Sequence, residues 1–383
     1  MKVEEVDSFE AFLGLREDWR RLAEQNGAPS FFLSHAWFRC CWLGRRGDER
    51  PFVVIVRQGP EIVGLAPFFA NTIKWRIFPV RTASLMQNQD SPFAGMLVAP
   101  DGASEILRAI VDHLRQSSKV HLISFNKIPR SSSTHDVLAN FGMRAPLIHE
   151  LGGRSPILRL DGDWDGFWTA QSQRFKKTIR NVANRVERLG QVTVEELSAV
   201  ASAEECMQVF ASAADRSWKA ELPISLRRNP SIRRFFEALT SALHASGQLR
   251  LWTLGLDGIP IATEYHVHDG DTVYALRSDF DGRYREASPG AYLNAHIVRT
   301  YFERGVRIYD MGPGDREYKQ RWATSAKEHE TFWLFSRTPY GLALYNMERR
   351  AVPPLRRARE WWRRTGAHPD RASAHSVGAP STK

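Results

Sequence analysis

The chain has little cysteine and no long apolar segment, and both absences narrow what it can be. Its three cysteines are Cys40 and Cys41, which are adjacent, and Cys206. An odd number without metal-ligand spacing encodes neither a disulfide framework nor a zinc site, so we expect reduced thiols and no bound metal. The longest apolar stretches, at 51–56 and 64–70, are far shorter than the ~20 residues that a membrane-spanning helix needs. No segment is therefore expected to cross a bilayer.

The amino terminus also lacks the features of a secretory signal. Residues 1–7 are charged from the outset, and no apolar core with a small-residue cleavage site follows them. We therefore expect the protein to stay in the cytoplasm.

Charged residues are plentiful, and basic residues outnumber acidic ones. The chain has 53 Lys and Arg against 43 Asp and Glu, a formal net charge of +10. Such an excess predicts an anionic partner, which could be nucleic acid, a phosphorylated ligand or an anionic membrane surface. Because no helix-turn-helix, zinc-finger or RNA-binding aromatic signature accompanies the basic residues, a phosphorylated cofactor is favoured over nucleic acid.

The two halves of the chain repeat the same order of predicted elements. Residues 52–70 and 249–268 each predict a β-hairpin, and the second contains Asp257-Gly258, a pair that supplies the positive φ of a two-residue turn. Each hairpin precedes a further strand, an amphipathic helix and another strand, and a helix between strands implies a parallel pairing. The helices are predicted at 103–116 and 291–304, and the strands after them at 120–125 and 306–311. We therefore predict an α/β fold of two tandem mixed-sheet domains.

The division of the chain follows from this repeat and from composition. We place one domain at 1–150, a second at 151–345 and a basic tail at 346–383. Residues 127–156 are rich in Ser, Pro and Gly and are expected to connect the domains. Within the tail, residues 346–366 carry seven arginines around two adjacent tryptophans, so this part could lie on an anionic membrane or dock on the protein body. Its last dozen residues are expected to be disordered.

A basic amphipathic helix is predicted at 172–189. Its apolar positions recur at helical spacing, and its opposite face is crowded with Arg and Lys. That face could simply be solvated, or it could face an anion.

The segment 271–291 predicts an anion site. An apolar strand at 272–278 precedes a polar turn and then a helix that opens with Ser288-Pro289-Gly290. Free backbone N–H groups and the positive end of the helix dipole bind anions there, and flanking arginines strengthen the site. A pyrophosphate is the natural guest, although an ordinary N-cap with Pro in the first turn would have the same sequence. The candidate binding residues are Arg283, Arg285, Ser288, Gly290 and Ala291.

This segment resembles the cofactor-binding segment of the Gcn5-related N-acetyltransferase (GNAT) superfamily. In that superfamily an Arg or Gln, two residues, Gly, one residue, and Gly or Ala wrap the coenzyme A pyrophosphate. Here Arg285 and Gly290 fit the pattern, and Ser288 replaces the first Gly.

The duplicated layout resembles one branch of the superfamily, which contains the cellulose-biosynthesis-type (CelD) acetyltransferases and the Fem-type peptidyltransferases. The similarity covers most of residues 1–340, including the entry at 31–37, the basic helix and the run at 310–323 with its Tyr-Lys-x-x-Trp motif. It implies that Lys319 lies at the active site, with Asp310, Asp315 and Tyr318 as neighbours. The first half lacks both the Ser-Pro-Gly entry and the Tyr-Lys motif, so it resembles a degenerate copy that shapes the acceptor groove.

Acyl transfer to an amine needs a base for the amine, a stabiliser for the oxyanion and an acid for the departing thiolate. Glu264 is a candidate base, because it lies within an apolar strand and burial makes a carboxylate more basic; alternatively it forms a salt bridge with an Arg. Tyr318 is a candidate acid, and Lys319 could hold the developing negative charge. Tyr274 and His266 are secondary candidates.

The resemblance therefore implies a cytoplasmic N-acyltransferase that uses acyl-coenzyme A and acts in envelope, lipid or exopolysaccharide biosynthesis. Three alternatives remain open at this point. The donor could be an aminoacyl-tRNA, as in Fem-type enzymes, which is the one reading with a nucleic-acid partner. The acceptor could be a lipid amine of the sphingoid-base kind, with the enzyme held peripherally on an anionic membrane. The chain could also be a non-enzymatic scaffold of polysaccharide assembly.

Overall fold

The structure of the protein is a computed structural model, which describes residues 1–26, 30–116, 120–141, 146–314 and 316–351. The first half begins with a strand and three helices, followed by a sheet and two further helices. Its strands are β1 (Lys2–Val6), β2 (Arg50–Gln58), β3 (Glu61–Trp75), β4 (Phe78–Leu85), β5 (Leu97–Val98), β6 (Leu122–Pro129) and β7 (Leu147–Arg159). Its helices are α1 (Phe9–Gly14), α2 (Arg16–Gln25), α3 (His35–Leu43), α4 (Ala103–Gln116) and α5 (Ser133–Phe141).

The second half repeats this order. Its helices are α6 (Trp164–Ala170), α7 (Gln173–Glu187), α8 (Ala203–Arg216), α9 (Pro230–Ala245), α10 (Pro289–Glu303), α11 (Glu317–Gln320) and α12 (Pro339–Asn346). Its strands are β8 (Val192–Glu196), β9 (Leu249–Leu256), β10 (Ile259–Asp269), β11 (Thr272–Phe280), β12 (Ile308–Asp310) and β13 (Ser325–Phe335). Both predicted hairpins are confirmed, and Asp257 and Gly258 have φ of 50° and 79°, as a two-residue turn with two left-handed positions requires.

All the described strands join one mixed sheet. Its order is β1-β2-β3-β4-β6-β13-β7-β12-β11-β10-β9-β8, with β5 paired to β3. The strands β1 to β6 at one end and β8 to β12 at the other therefore form two similar arrays. Each array contains one parallel pair, 82–84 with 122–124 and 272–274 with 308–310. The predicted fold class, two tandem GNAT-like mixed-sheet units, is confirmed.

The two arrays exchange strands at the centre of the sheet. The last strand in the described residues, β13, lies antiparallel between β6 of the first half and β7, and β7 in turn pairs with β12 of the second half. The predicted connector at 127–156 is wrong, because these residues form the end of β6, helix α5 and most of β7. The proposed division at residue 150 lies within β7 and stays a prediction.

Helices cover both faces of the sheet. On one face, α1 to α3 of the first half and α8 and α9 of the second share one continuous apolar core, which includes Trp37 and Phe235. On the other face, α4 and α5 cover the first array, and α6, α7 and α10 cover the second. The second array is therefore covered by α8 and α9 on one face and by α6, α7 and α10 on the other.

The predicted basic tail is only partly described. A π-helical turn over Met347–Ala351 follows α12, and the buried Glu348 carboxylate accepts hydrogen bonds from Arg76 at 2.7 Å and Trp75 at 3.2 Å. Residues 352–383, with both tryptophans of the tail, lie outside the described residues. No helix in the described ranges is long and apolar enough to cross a membrane.

Candidate active site

A cleft opens where the parallel strands β11 and β12 separate. Their last paired residues are Tyr274 and Asp310. The chain after β12 then turns away toward β7, where Gly314 N–H donates to the Arg154 carbonyl at 3.0 Å. As a result, residues 275–280 have no strand partner on the side away from β10 within the described part of the sheet. Their backbone groups are available to an extended ligand.

The turn at Gly312 fixes the apex of this cleft. Its φ is 74°, and a Cβ there would lie 2.6 Å from the Ala275 carbonyl oxygen. A side chain at 312 would therefore clash with β11 as well as strain the backbone. The pairing of β10 with β11 also shifts between Tyr265 and His266, which leaves Leu276 as an extra residue in β11. This β-bulge bends the strand at the cleft, and nothing in the local sequence indicated it.

Helix α10 starts at the mouth of the cleft, as the sequence predicted. Ser288 adopts a left-handed conformation, with φ of 62° and ψ of 54°, and Pro289 occupies the first helical position. The Ser288 carbonyl accepts from the N–H groups of Ala291 at 3.0 Å and Tyr292 at 3.3 Å. A Cβ on Gly290 would make only ordinary contacts, 3.7 Å from the Phe280 ring and 3.9 Å from the Ser278 hydroxyl.

The two predicted phosphate-binding arginines differ in their surroundings. Arg283 forms an ion pair with the buried carboxylate of Asp281 at 2.7 Å, which holds the pKa of that carboxyl below its usual value. Arg283 thus fixes the turn before α10. Arg285 is exposed and forms no ion pair with any residue that the structure describes.

Lys319 on α11 reaches back to the apex of the cleft. Its ammonium donates to the carbonyls of Gly312 at 3.1 Å and Pro313 at 3.2 Å. Burial lowers the pKa of Lys319 to about 8, against the opposing effect of the Glu264 and Asp310 carboxylates. Because an ammonium has three N–H donors, one remains for a ligand.

Asp310 is almost fully buried, with 1% of its surface exposed. Its carboxylate accepts from the Gly312 N–H at 2.9 Å and lies 3.8 Å from the Lys327 ammonium. Burial raises the pKa of Asp310, although Lys327 partly opposes this shift. The Lys327 ammonium also lies 5.7 Å from the centre of the Phe93 ring and 5.8 Å from that of Tyr274.

Glu264 lies on the opposite face of the sheet from Asp310. It is buried, and its carboxylate is 3.4 Å from His266 Nε2. His266 Nδ1 in turn bonds the Tyr301 hydroxyl of α10 at 2.7 Å. The predicted position of Glu264 in an apolar strand is confirmed, but its partner is a histidine and not the arginine that the alternative proposed.

Tyr318 is about half exposed and precedes Lys319 on α11. Partial burial and the Glu264 carboxylate raise the pKa of its hydroxyl to about 12. Asp315, the fifth predicted catalytic residue, lies outside the described residues.

The first half supplies a wall of the site that the sequence did not reveal. Phe32 and Phe93 place their rings 4.8 Å and 6.3 Å from that of Tyr274. Burial raises the pKa of Asp90, which lies on the same loop as Phe93, and Arg277 and Lys219 of the second half oppose this shift. These residues come from distant segments without a shared motif, so only their proximity in the folded structure identifies them as part of the site. No group of three or more potential metal ligands occurs among the described side chains.

Part of the sequence and the overall fold are similar to known proteins. Residues 173–320 match the family described as acetyltransferase (GNAT) domain. No curated protein sequence matches the chain significantly.

Several solved structures share the fold over most of its length. FemX aligns with a TM-score of 0.55 and 15% identity, over 89% of this chain and 100% of its own. L-PGS from Bacillus licheniformis aligns with a TM-score of 0.53 and 13% identity, over 87% of this chain and 95% of its own. The C-terminal domain of a putative lysylphosphatidylglycerol synthetase from Agrobacterium fabrum aligns with a TM-score of 0.50 and 15% identity, over 87% and 95%. Residues 173–320 thus match a GNAT acetyltransferase domain, and the fold of the whole chain is similar to that of FemX.

Proposed function

We propose that the protein transfers an acyl group from acyl-coenzyme A to an amine acceptor in envelope, lipid or exopolysaccharide biosynthesis. One observation carries the proposal: the cleft between β11 and β12 opens onto the start of α10 at one end and onto Asp310 and Lys319 at the other. One extended ligand can therefore bind along the cleft, with its phosphate group at one end and its reacting thioester at the other.

The donor would lie with its pyrophosphate at the α10 amino terminus, near Arg285 and the backbone of Gly290. Helix amino termini bind phosphates through free N–H groups and the helix dipole. The pantetheine arm would run along residues 275–280, whose backbone groups can pair with its amides. This placement brings the thioester to the apex beside Gly312.

The acceptor would approach from the opposite face of the sheet. The face with α10 is occupied by the donor, whereas the other face contains Asp310, Tyr274 and the first-half rings of Phe32 and Phe93. An amine that enters there meets the Asp310 carboxylate, whose pKa is raised by burial and which can therefore take its proton. We assign the base to Asp310 rather than Glu264 because Glu264 faces α10.

The proposed reaction has two steps, addition of the amine and departure of coenzyme A. The neutral amine attacks the thioester carbon, and its nitrogen gives up a proton to the Asp310 carboxylate as the carbon–nitrogen bond forms. The tetrahedral oxyanion accepts a hydrogen bond from the free N–H of Lys319. The carbon–sulfur bond breaks, and coenzyme A leaves as a thiolate that takes up a proton. Tyr318, next to Lys319 on α11, is the proposed source of that proton.

The test is native mass spectrometry of the purified protein, followed by a thiol-release assay. A retained acyl-coenzyme A, or thiol release that depends on added amine, would support the proposal. Tight coenzyme A binding without turnover on any amine would instead favour the scaffold alternative. A protein that binds no coenzyme A but transfers an aminoacyl group from tRNA would favour a Fem-type donor, and turnover only on lipid amines would identify the lipid-acceptor alternative.

A further inference from the structure

Helix α7 presents an exposed row of cations that have no ion-pair partner among the described residues. Its inward face packs through Phe175, Val182 and Val186, which are buried. Its outward face carries five exposed cations, none of which forms an ion pair with a described residue. They are Arg174, Lys177, Arg180, Arg185 and Arg188. The one acidic residue of α7, Glu187, accepts a hydrogen bond from Tyr292 of α10 at 3.3 Å.

On three other surface helices, an exposed arginine is paired with a glutamate within one turn. On α2, Arg20 forms ion pairs with Glu17 and Glu24. On α9, Arg233 lies 2.9 Å from Glu237, and on α10, Arg299 lies 3.0 Å from Glu303. Like charges one turn apart repel, and α7 has no acidic residues at the corresponding positions to offset this. An anion from outside the chain can therefore supply the partner that these cations lack among the described residues.

The shape of the row favours a flat partner. From Arg174 to Arg188 the row extends ~21 Å along a convex helix. Partly exposed apolar side chains lie at its two ends: Trp164 and Trp168 of α6 precede it, and Leu189, 43% exposed, follows it. Cations flanked by tryptophan and leucine are typical of a surface that meets lipid headgroups.

We propose that this face of α7 is a docking surface for a bilayer of anionic lipids. Helix α7 also adjoins the candidate active site, because Phe175 packs on Trp322 just after α11, at 4.9 Å between ring centres, and Glu187 contacts α10. Docking through α7 places the mouth of the cleft at the membrane surface. The proposal does not depend on which acyl donor the enzyme uses.

The test is co-sedimentation of the full-length protein with phosphatidylglycerol–phosphatidylcholine vesicles and with pure phosphatidylcholine vesicles. The variant Arg174→Gln, Lys177→Gln, Arg188→Gln removes three cations from α7. A matched control, Arg20→Gln, Arg233→Gln, Arg299→Gln, removes the same charge from helices where each arginine is already paired. The basic tail is present in all three proteins, so its contribution cancels.

We expect the parent to bind the anionic vesicles and to lose affinity as salt rises. The α7 variant should bind at least about tenfold more weakly, since each cation contributes separately to attraction by an anionic leaflet, whereas the control should bind within about twofold of the parent. Equal binding by the α7 variant and the control overturns the proposal. So does a parent that ignores the vesicles but binds an RNA duplex through the same cations. Thiol release with soluble acyl-coenzyme A, measured on the same variants, reports separately on the proposed reaction.

Discussion

The two parallel strand pairs of the sheet begin alike and end differently. In the first half, β4 and β6 pair over three residues and end with Ser84 beside Ser124. In the second half, β11 and β12 pair over three residues and end with Tyr274 beside Asp310. The position that holds a buried acid in one half therefore holds a hydroxyl in the other.

The first cleft is also filled by its own chain. The loop after β4 folds back onto β6, where Ala94 N–H donates to the Lys127 carbonyl at 3.1 Å. The Lys127 ammonium in turn donates to the carbonyls of Gln89 at 2.9 Å and Ser91 at 2.7 Å. The same loop carries Phe93 to the second cleft. In the first half, the chain itself therefore lies where the second half has an open cleft.

The largest effect is expected from making the second cleft chemically like the first. Asp310→Ser installs the residue that stands at 124, and Asp310→Asn removes only the charge. Both should lower kcat by ~100-fold or more, because loss of a general base costs ~10²–10⁴-fold. Ser124→Ala is the matched control and should leave turnover within about twofold. The assay is thiol release at saturating donor.

Glu264→Gln tests the assignment of the base between the two buried carboxylates. If Glu264 were the base, its amide variant would lose more turnover than Asp310→Asn, and the two-sided arrangement that we propose would be wrong. We expect the opposite order, with Glu264→Gln losing less than about tenfold.

Removing Lys319 should lower turnover by ~100-fold, about 2.7 kcal/mol of barrier, which is the scale for one oxyanion donor. The thermal midpoint of Lys319→Ala should stay close to that of the parent, since the lysine is only half-buried. Parental turnover in this variant would remove Lys319 from the mechanism.

The pH dependence of turnover should report the same lysine. The donating form is the ammonium, and with a pKa of about 8 its population falls as pH rises through 8. The rate should therefore decline above about pH 8 in the parent. In Lys319→Arg, which stays charged, the decline should vanish from the profile of whatever activity remains. A decline at the same pH in the arginine variant would assign it to another group.

A smaller effect is expected at the start of α10, where the second half has a Ser-Pro-Gly sequence that the first half lacks. Gly290→Asp places a carboxylate where donor phosphates would bind and should weaken acyl-coenzyme A binding by about tenfold or more in titration calorimetry. Gly290→Ala is the steric control, because its Cβ would make ordinary contacts only. If both variants bind as the parent does, the phosphates bind elsewhere.

The smallest effect concerns stability. Ser288 is a non-glycine residue in a left-handed conformation, which costs an L-residue ~1–2 kcal/mol relative to glycine. Glycine also gains freedom in the unfolded chain, which offsets part of this. We therefore expect Ser288→Gly to raise the free energy of unfolding by about 0.5–1 kcal/mol in urea titration. A decrease would indicate that the Ser288 hydroxyl makes a contact worth more than the strain.

Features contained in one contiguous segment could be predicted from the sequence. The hairpins and the start of α10 have local turn and cap signals, and the resemblance marked the segment that holds Asp310 and Lys319. The placement of β7 could not be predicted, because a strand with exposed polar positions and Gly152-Gly153 reads locally as a loop. Gly152 in fact permits a close approach, since a Cβ there would lie 2.7 Å from the Thr331 hydroxyl of β13.

The wall of the site was missed for a related reason. Lys327, Phe93 and Lys219 lie far apart in the chain and belong to no shared motif. They meet only because the strand exchange brings the two arrays into one sheet. Their proximity depends on how distant strands pair, and the local sequence around each residue does not specify that pairing.

The exchanged strand β13 also sets the order in which the protein can be completed during synthesis. The inner edge of β6, formed by residues 122–129, receives its partner only when residues 325–335 have left the ribosome. At ~5–20 residues per second, those ~200 intervening residues leave a hydrophobic strand edge unpaired for ~10–40 s. An exposed edge of this kind can pair with another chain. A nascent chain stalled after the cleft between β11 and β12 but before β13 would therefore contain most of the candidate site residues and still be unable to close its sheet.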